Sequence, residues 1–209
     1  MISMIPVYGR MAENCYLDID ENSGHGWIID PGAEADAILE VIRENGWVIE
    51  KILLTHGHFD HIGAVNELRD ALKVPVVIHE TEENYLTRPE NNLSRRYAPE
   101  IVIEGAENVN DGEEVALDAN PEKKVKVICT PGHTTDSVLY YNEKEGYAFS
   151  GDTIFRGSVG ITCHPGGDDD ALRESILGRV FALPEETKLY SGHSDVTTVG
   201  TEKRRYGIL

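Results

Sequence analysis

The sequence predicts an α+β chain whose strands deliver their loops to one chemical site. Three observations carry this. Short apolar strand-like runs are interleaved with runs at helical spacing. A glycine neighbours a histidine or aspartate just after several of those strands. Five of the eight histidines, His56, His58, His61, His133 and His193, fall in such places. At 209 residues the chain is long enough for a sizeable core, and one domain spanning residues 1–209 is expected.

In order, Ile2 to Val7, Cys15 to Ile19 and Trp27 to Ile29 read as short strands separated by turn-forming clusters such as Glu21-Asn22-Ser23-Gly24. Asp30-Pro31-Gly32 breaks the third strand. Ala35, Ile38, Leu39 and Ile42 then recur at helical spacing until Gly46, as an amphipathic helix packed on a sheet does. Val48 to Leu54 returns to strand, and Ile62, Val65, Leu68 and Leu72 mark a second helix ending near Lys73. Pro75 opens the strand Val76-Val77-Ile78. Glu80 to Asn110 is polar and weakly patterned; it reads as an insertion flanking the site, with a short helix over Glu82 to Leu86 and a basic pair at Arg95-Arg96. Val125 to Cys129, Ser137 to Tyr141, Tyr147 to Ser150 and Lys188 to Tyr190 read as strands, and Asp168 caps a helix with Leu172, Ile176 and Val180 inward. No internal repeat or low-complexity tract interrupts the chain.

The densest chemistry is Thr55-His56-Gly57-His58-Phe59-Asp60-His61, directly after Ile52-Leu53-Leu54. Imidazoles suit zinc, iron and similar metals, and a carboxylate beside them can ligate or orient a bound water. His56 and His58 can share one face of an extended loop, while Asp60 and His61 fall where the chain turns into the next helix, so one loop could serve two metal ions. Taken singly, each has an ordinary reading: Asp60 as a helix cap, the histidines as loop residues. Three further strand ends, at Gly132-His133, Gly151-Asp152 and Gly192-His193, repeat the pattern of glycine next to candidate ligand. Glycine permits the close backbone approach that wrapping a metal requires.

Composition excludes other classes. A net charge of −18, from 37 acidic and 19 basic residues, repels a phosphate backbone and disfavours nucleic-acid partners. Cys15, Cys129 and Cys163 are far apart, form no CxxC pair and cannot all be paired within the chain, which indicates a reducing, cytoplasmic compartment. The N-terminus lacks a charged leader followed by a long apolar region, and no apolar run approaches a membrane span. A small-molecule substrate is the expected partner, and nothing in the pattern sets an oligomeric state.

With His56, His58, Asp60, His61, His133, Asp152 and His193 in hand, the chain resembles the metallo-β-lactamase-fold superfamily over nearly its whole length. The HxHxDH signature is followed by TPGHT at Thr130 to Thr134, GDT at Gly151 to Thr153 and a late GH at Gly192-His193. Within the superfamily it is most similar to the short bacterial glyoxalase II-like hydrolases. The resemblance implies an αββα four-layer sandwich with a metal site at one edge of its sheets. It implies two divalent metal ions, zinc first with iron or manganese as alternatives. One would be held by His56, His58 and His133 and the other by Asp60, His61 and His193, with Asp152 bridging. True metallo-β-lactamases generally lack an aspartate at that bridging position, which argues against antibiotic degradation. The diiron flavoproteins replace the second histidine of the signature with glutamate, and His58 argues against them. The chain departs from its relatives after Gly157-Ser158-Val159-Gly160: they usually carry a basic residue followed by Thr-Asp, whereas here Ile161-Thr162-Cys163-His164 follows. A positive group for an anionic substrate tail is absent from that loop.

The implied activity is thioester hydrolysis of the glyoxalase II type by a hydroxide held between the ions, with Asp60 also accepting a hydrogen bond that aims it. A thiolate leaves without an obligatory general acid. Alternatives on the same frame are a mononuclear-iron persulfide dioxygenase, or a lactone or phosphodiester hydrolase. Of the remaining residues, His164 and Cys163 read as loop residues or as neighbours of the pocket mouth, and His79 as a surface or capping residue. Nothing is expected of His25. Cys129 is expected to fill core space, and Lys203-Arg204-Arg205 to form a solvated tail or meet a substrate carboxylate.

Overall fold

Alternating side chains give each strand two faces, and here both faces are apolar, which requires a layer on each side. The computed structural model, which describes residues 1–207, supplies those layers as two six-stranded sheets packed face to face with helices outside. The first sheet runs in chain order: β1 (Ile2–Tyr8), β2 (Ala12–Ile19), β3 (His25–Ile29), β4 (Val48–Leu53), β5 (Val76–Ile78) and β6 (Glu107–Asn108). Pairing is antiparallel through β3 and parallel beyond it. The second half of the chain adds β7 (Glu114–Ala116), β8 (Lys124–Cys129), β9 (Val138–Asn142) and β10 (Tyr147–Gly151). A small hairpin of β11 (Ile154–Phe155) and β12 (Ser158–Val159) follows, and then β13 (Lys188–Ser191) and β14 (Thr197–Thr198). The second sheet has the order β14-β13-β10-β9-β8-β7.

The period of two sorts the core. Tyr16, Trp27, Ile29 and Leu53 meet Val127, Tyr140, Tyr147 and Phe149 between the sheets. The alternate residues Leu17, Ile28 and Ile52 face α1 (Ala35–Asn45) and α3 (Val65–Leu72) on one outside. Leu139, Tyr141 and Leu189 face Leu172 and Ile176 of α5 (Asp169–Gly178) and Val199 of α6 (Val199–Arg205) on the other. This is the αββα sandwich. Each such side chain contributes about 1.5–3 kcal/mol on burial, and Trp27 and Phe149 at the centre are 0% and 1% exposed.

Three helical expectations are corrected: α5 ends at Gly178, so Val180 is buried from a separate 3-10 turn over Val180–Ala182, and two differences concern the first half of the chain. The helix expected through Ile62 and Leu72 is two pieces, α2 (Phe59–Ile62) and α3. The break lets the Ala64 N–H donate to Pro31 O at 2.9 Å, and it packs Gly63 against Gly32, where a Cβ would meet Gly32 O at 2.1 Å. No helix forms over Glu82 to Leu86, because Asn84 takes a left-handed φ of 50° and the chain turns there. The helix of this segment is α4 (Ser94–Tyr97). Among the described residues no helix is long and apolar enough to cross a membrane.

Candidate metal centre

Strand direction decides where the candidate ligands meet. In the second sheet β8 and β10 both run antiparallel to β9, and β13 runs parallel to β10, so β8, β10 and β13 all end at the same edge. The end of β4 joins them there: Val138 N donates to Thr55 O at 2.9 Å, and the Tyr140 hydroxyl donates to Leu54 O at 3.0 Å. The loop from β4 into α2 brings His56, His58, Asp60 and His61, and the loops after β8, β10 and β13 bring His133, Asp152 and His193. All seven candidates converge on this edge. Asp60 is not a helix cap: His58 occupies the N-cap of α2, and no side chain caps it.

Two donor groups match the expected triads, His56 with His58 and His133, and Asp60 with His61 and His193; a third, Asp30 with His56 and His61, overlaps both, and within each one ligand atom per residue lies within 4.8 Å of the others. In the first, His58 Nδ1 and His133 Nε2 are 2.9 Å apart. In the second, His61 Nε2 and His193 Nε2 are 3.3 Å apart, with Asp60 Oδ2 3.4 Å from His193 Nε2. Asp152 stands between the groups. Its Oδ1 is 3.3 Å from His61 Nε2, and its Oδ2 is 3.6 Å from His133 Nε2 and 3.4 Å from His193 Nε2.

The outer ring nitrogens show which inner atoms are free. His133 Nδ1 donates to Ile161 O at 2.6 Å and His193 Nδ1 to Ala12 O at 2.7 Å, while His61 Nδ1 donates to Asp30 Oδ2 at 3.1 Å. Each bond places a proton on Nδ1 and turns Nε2 inward. The Nε2 atoms of His61 and His193 therefore face one another and the Asp60 and Asp152 carboxylates, an inward-turned donor set of the kind a cation fills. His56 Nε2 and Asp152 Oδ1 are buried with no hydrogen-bond partner, a costly condition that a metal removes. The donor set and its geometry fit two divalent cations.

Electrostatics divide the cluster. Burial and the neighbouring imidazoles hold His56 and His58 well below the ordinary imidazole pKa, so both are neutral donors. Burial also opposes charge on His61, but the Asp152 and Asp30 carboxylates outweigh it and raise its pKa well above the ordinary value. Burial opposes ionisation of Asp152, yet His61, His193 and His133 keep it well below the usual carboxylate range. The second group thus draws positive charge toward itself.

Two residues that sequence reasoning missed support this centre. Asp30, read as part of a turn, accepts from Thr55 N at 2.7 Å and from Thr55 Oγ1 at 2.5 Å besides His61. Glu13 is 2% exposed and lies 3.9 Å from His61 Nδ1, with neither carboxylate oxygen hydrogen-bonded. Gly192 shows why the strand ends need glycine, since a Cβ there would lie 2.5 Å from His61 Cε1 and 2.7 Å from Asp152 Oδ1.

The centre opens into a cavity of about 540 Å³ whose walls include Met11, Phe59, Leu93, Tyr97, Phe155 and Ile161, with Arg10 and His164. His164 stands at its wall, 6.1 Å between ring centroids from His58, and belongs to neither donor group. Cys163 is exposed, and Cys129 is half-buried against the core. The other expectations fall away from the cavity. Lys203-Arg204-Arg205 lies in α6, where Arg205 pairs with Glu202 at 2.9 Å, and Arg95 pairs with Glu100 at 2.8 Å. His79 Nδ1 bonds Val109 O at 2.8 Å, and His25 meets Glu50 at 2.8 Å.

An αββα frame with a histidine- and aspartate-rich cluster at one sheet edge defines a class of metal-binding, generally hydrolytic domains. The profile of the Metallo-beta-lactamase superfamily matches residues 8–193, and the chain belongs to that superfamily. It is 36% identical over 196 residues to "Probable metallo-hydrolase YqgX" of Bacillus subtilis, covering 93% of this chain and 91% of that one. It is 30% identical over 213 residues to "Hydroxyacylglutathione hydrolase GloC" of Haemophilus influenzae, covering 97% and 95%. Among solved structures, the BLEG-1 B3 metallo-beta-lactamase superposes with a TM-score of 0.90 at 36% identity over 98% of this chain and 97% of the other. TTHA1623 in a di-iron-bound form gives 0.83 at 34% identity over 96% and 98%. ETHE1 from Myxococcus xanthus gives 0.77 at 27% identity over 97% and 82%.

Proposed function

We propose that the chain is a metal-dependent hydrolase of thioesters. His56, His58 and His133 would hold one divalent cation and Asp60, His61 and His193 a second, with Asp152 shared and zinc the first choice of metal. The observation that carries this is the pair of complete three-donor groups with one carboxylate in reach of both. When bound, two such cations polarise a carbonyl and lower the pKa of a water between them toward 7. The chain's residues do the rest. Asp60, held ionised because the His193 hydrogen bond and the His61 charge outweigh its burial, is an acceptor that aims the attacking water. The apolar walls exclude bulk water and strengthen the electrostatics inside. A thiolate needs no proton to leave, in keeping with a cavity whose wall places no acidic carboxyl beyond Asp60 and Asp152. A cavity of about 540 Å³ suits a small molecule.

The likeness to GloC supports a hydroxyacyl thioester, and the likeness to BLEG-1 places a β-lactam in the test panel. ETHE1 similarity favours a second reading, a persulfide dioxygenase on one iron. Against it stands the second donor group, which a single-iron site does not use. The test is elemental analysis of the purified protein beside turnover of S-lactoylglutathione, glutathione persulfide and a chromogenic β-lactam. Two metal equivalents with thioester cleavage are expected. One iron per chain with oxygen uptake on the persulfide overturns the proposal.

A further inference from the structure

The chemistry above leaves one feature of the cavity unused, a single cationic side chain in its wall. Arg10 lies at the tip of the β1–β2 hairpin, where Tyr8 pairs with Ala12 and Gly9, Arg10 and Met11 turn the chain. The tip is anchored. Tyr8 N donates to Glu34 Oε2 at 2.8 Å, and a Cβ on Gly9 would stand 3.1 Å from Ala33 Cβ. Among the described residues Arg10 is the only lysine or arginine lining the cavity. Arg69, Arg95, Arg156, Arg179 and Arg205 are each engaged with a carboxylate; among the described residues Arg10 is not, and unlike the other arginines without an ion pair, Arg43, Arg88, Arg96, Arg173 and Arg204, it stands in the cavity wall. Glu100, the other charged group beside Arg10 in the adjoining cleft apart from Asp60, is already held by Arg95 at 2.8 Å. In a chain with 37 acidic residues, an unpaired guanidinium in the wall of a reaction cavity has an anion-binding use.

Its placement gives the cavity a direction. Arg10 is two residues from Ala12, whose carbonyl orients His193, so the hairpin tip flanks the Asp60–His61–His193 group. On the His133 side the wall includes Ile161, an apolar residue 57% exposed, whose carbonyl orients His133. The cavity's one guanidinium is thus on the His193 side, where Phe155 also stands 6.0 Å from the His193 ring between centroids, and Ile161 is on the His133 side.

We infer that Arg10 sets substrate specificity by receiving a carboxylate, so that the thioesters taken here carry a negative charge on one half, directed to the His193 side, and an uncharged half against Ile161. This rests on the thioester reading. The charge has two possible sources, the thiol half or the acyl half, and three probes separate them: S-lactoylglutathione, succinyl-N-acetylcysteamine and the neutral butyryl-N-acetylcysteamine. With the metal-loaded enzyme, Arg10→Ala is expected to lower the ratio of kcat/KM for one charged probe over the neutral probe about tenfold, through KM, as loss of a charge-assisted hydrogen bond does. Arg10→Lys should restore part of it. The probe that responds assigns the half. Calorimetric titration with S-hexylglutathione and with adipate, which mimic the two halves and have no scissile bond, should show one of them binding more weakly to Arg10→Ala. If no thioester turns over, the hydrolase reading falls and calorimetry alone decides on Arg10. If thioesters turn over but neither the ratio nor the binding depends on Arg10, the inference falls and the hydrolase reading stands.

Discussion

Asp152 touches both donor groups, and its replacement tests the centre most directly. Asp152→Ala should deplete metal and abolish turnover, read by elemental analysis and a thioester assay; retention of both would remove it as the shared ligand. Asp30 acts one step further out, by fixing His61. Asp30→Asn should weaken metal binding about 10–100-fold in chelator competition. Asp136 offers a pH test. Burial beside the metal loop pushes its carboxyl up to about 7, whereas in the unfolded chain it titrates near about 4. The native state then holds a proton that the unfolded state has released, so this group's contribution to stability falls as pH rises from about 4 to about 7 and is level above. Asp136→Asn should be more stable than the parent at pH 8 in urea denaturation, and the difference should vanish toward pH 4. The seven inner donors were legible because histidine beside glycine after a strand is rare chemistry. Asp30 was not, since Asp-Pro-Gly is also what ends a strand, and Glu13 was not, since its burial depends on Gly32 and His61 arriving from elsewhere.

The element scale shows the same division. Strands β2, β3, β4, β8, β9, β10 and β13 and helices α1 and α5 follow from periodicity, because each presents a regular apolar face. The two-residue strands β6, β11, β12 and β14 have no period to read and exist through pairing alone. The α2–α3 break was hidden because the apolar spacing of Ile62 and Val65 continues across it, and only the Pro31 carbonyl shows why it is needed. Helix α5 also carries a testable cap. Asp168 accepts from Ala171 N at 2.8 Å, while its own N–H donates to Gly132 O at 2.8 Å, tying the helix start to the His133 loop. Asp168→Ala should cost about 1 kcal/mol in denaturant unfolding.

Across the whole molecule, the sheets are joined at both ends by polar contacts. At the metal edge Tyr16 donates to Ser191 O at 2.7 Å. At the far edge the buried pair of Lys123 and Asp18, 2.8 Å apart, is joined by the Tyr147 hydroxyl. Lys123→Met leaves Asp18 unpaired and should destabilise by about 3–5 kcal/mol, and adding Asp18→Asn should recover much of that. The donors are divided between the halves of the chain: each group takes two residues from the first sheet's loops and its third from the second's. No fragment ending before His133 can assemble either triad, and the second must wait for His193. The two triads therefore come together in sequence, the first once His133 is in place and the second only after His193, and each needs the two halves of the chain to dock.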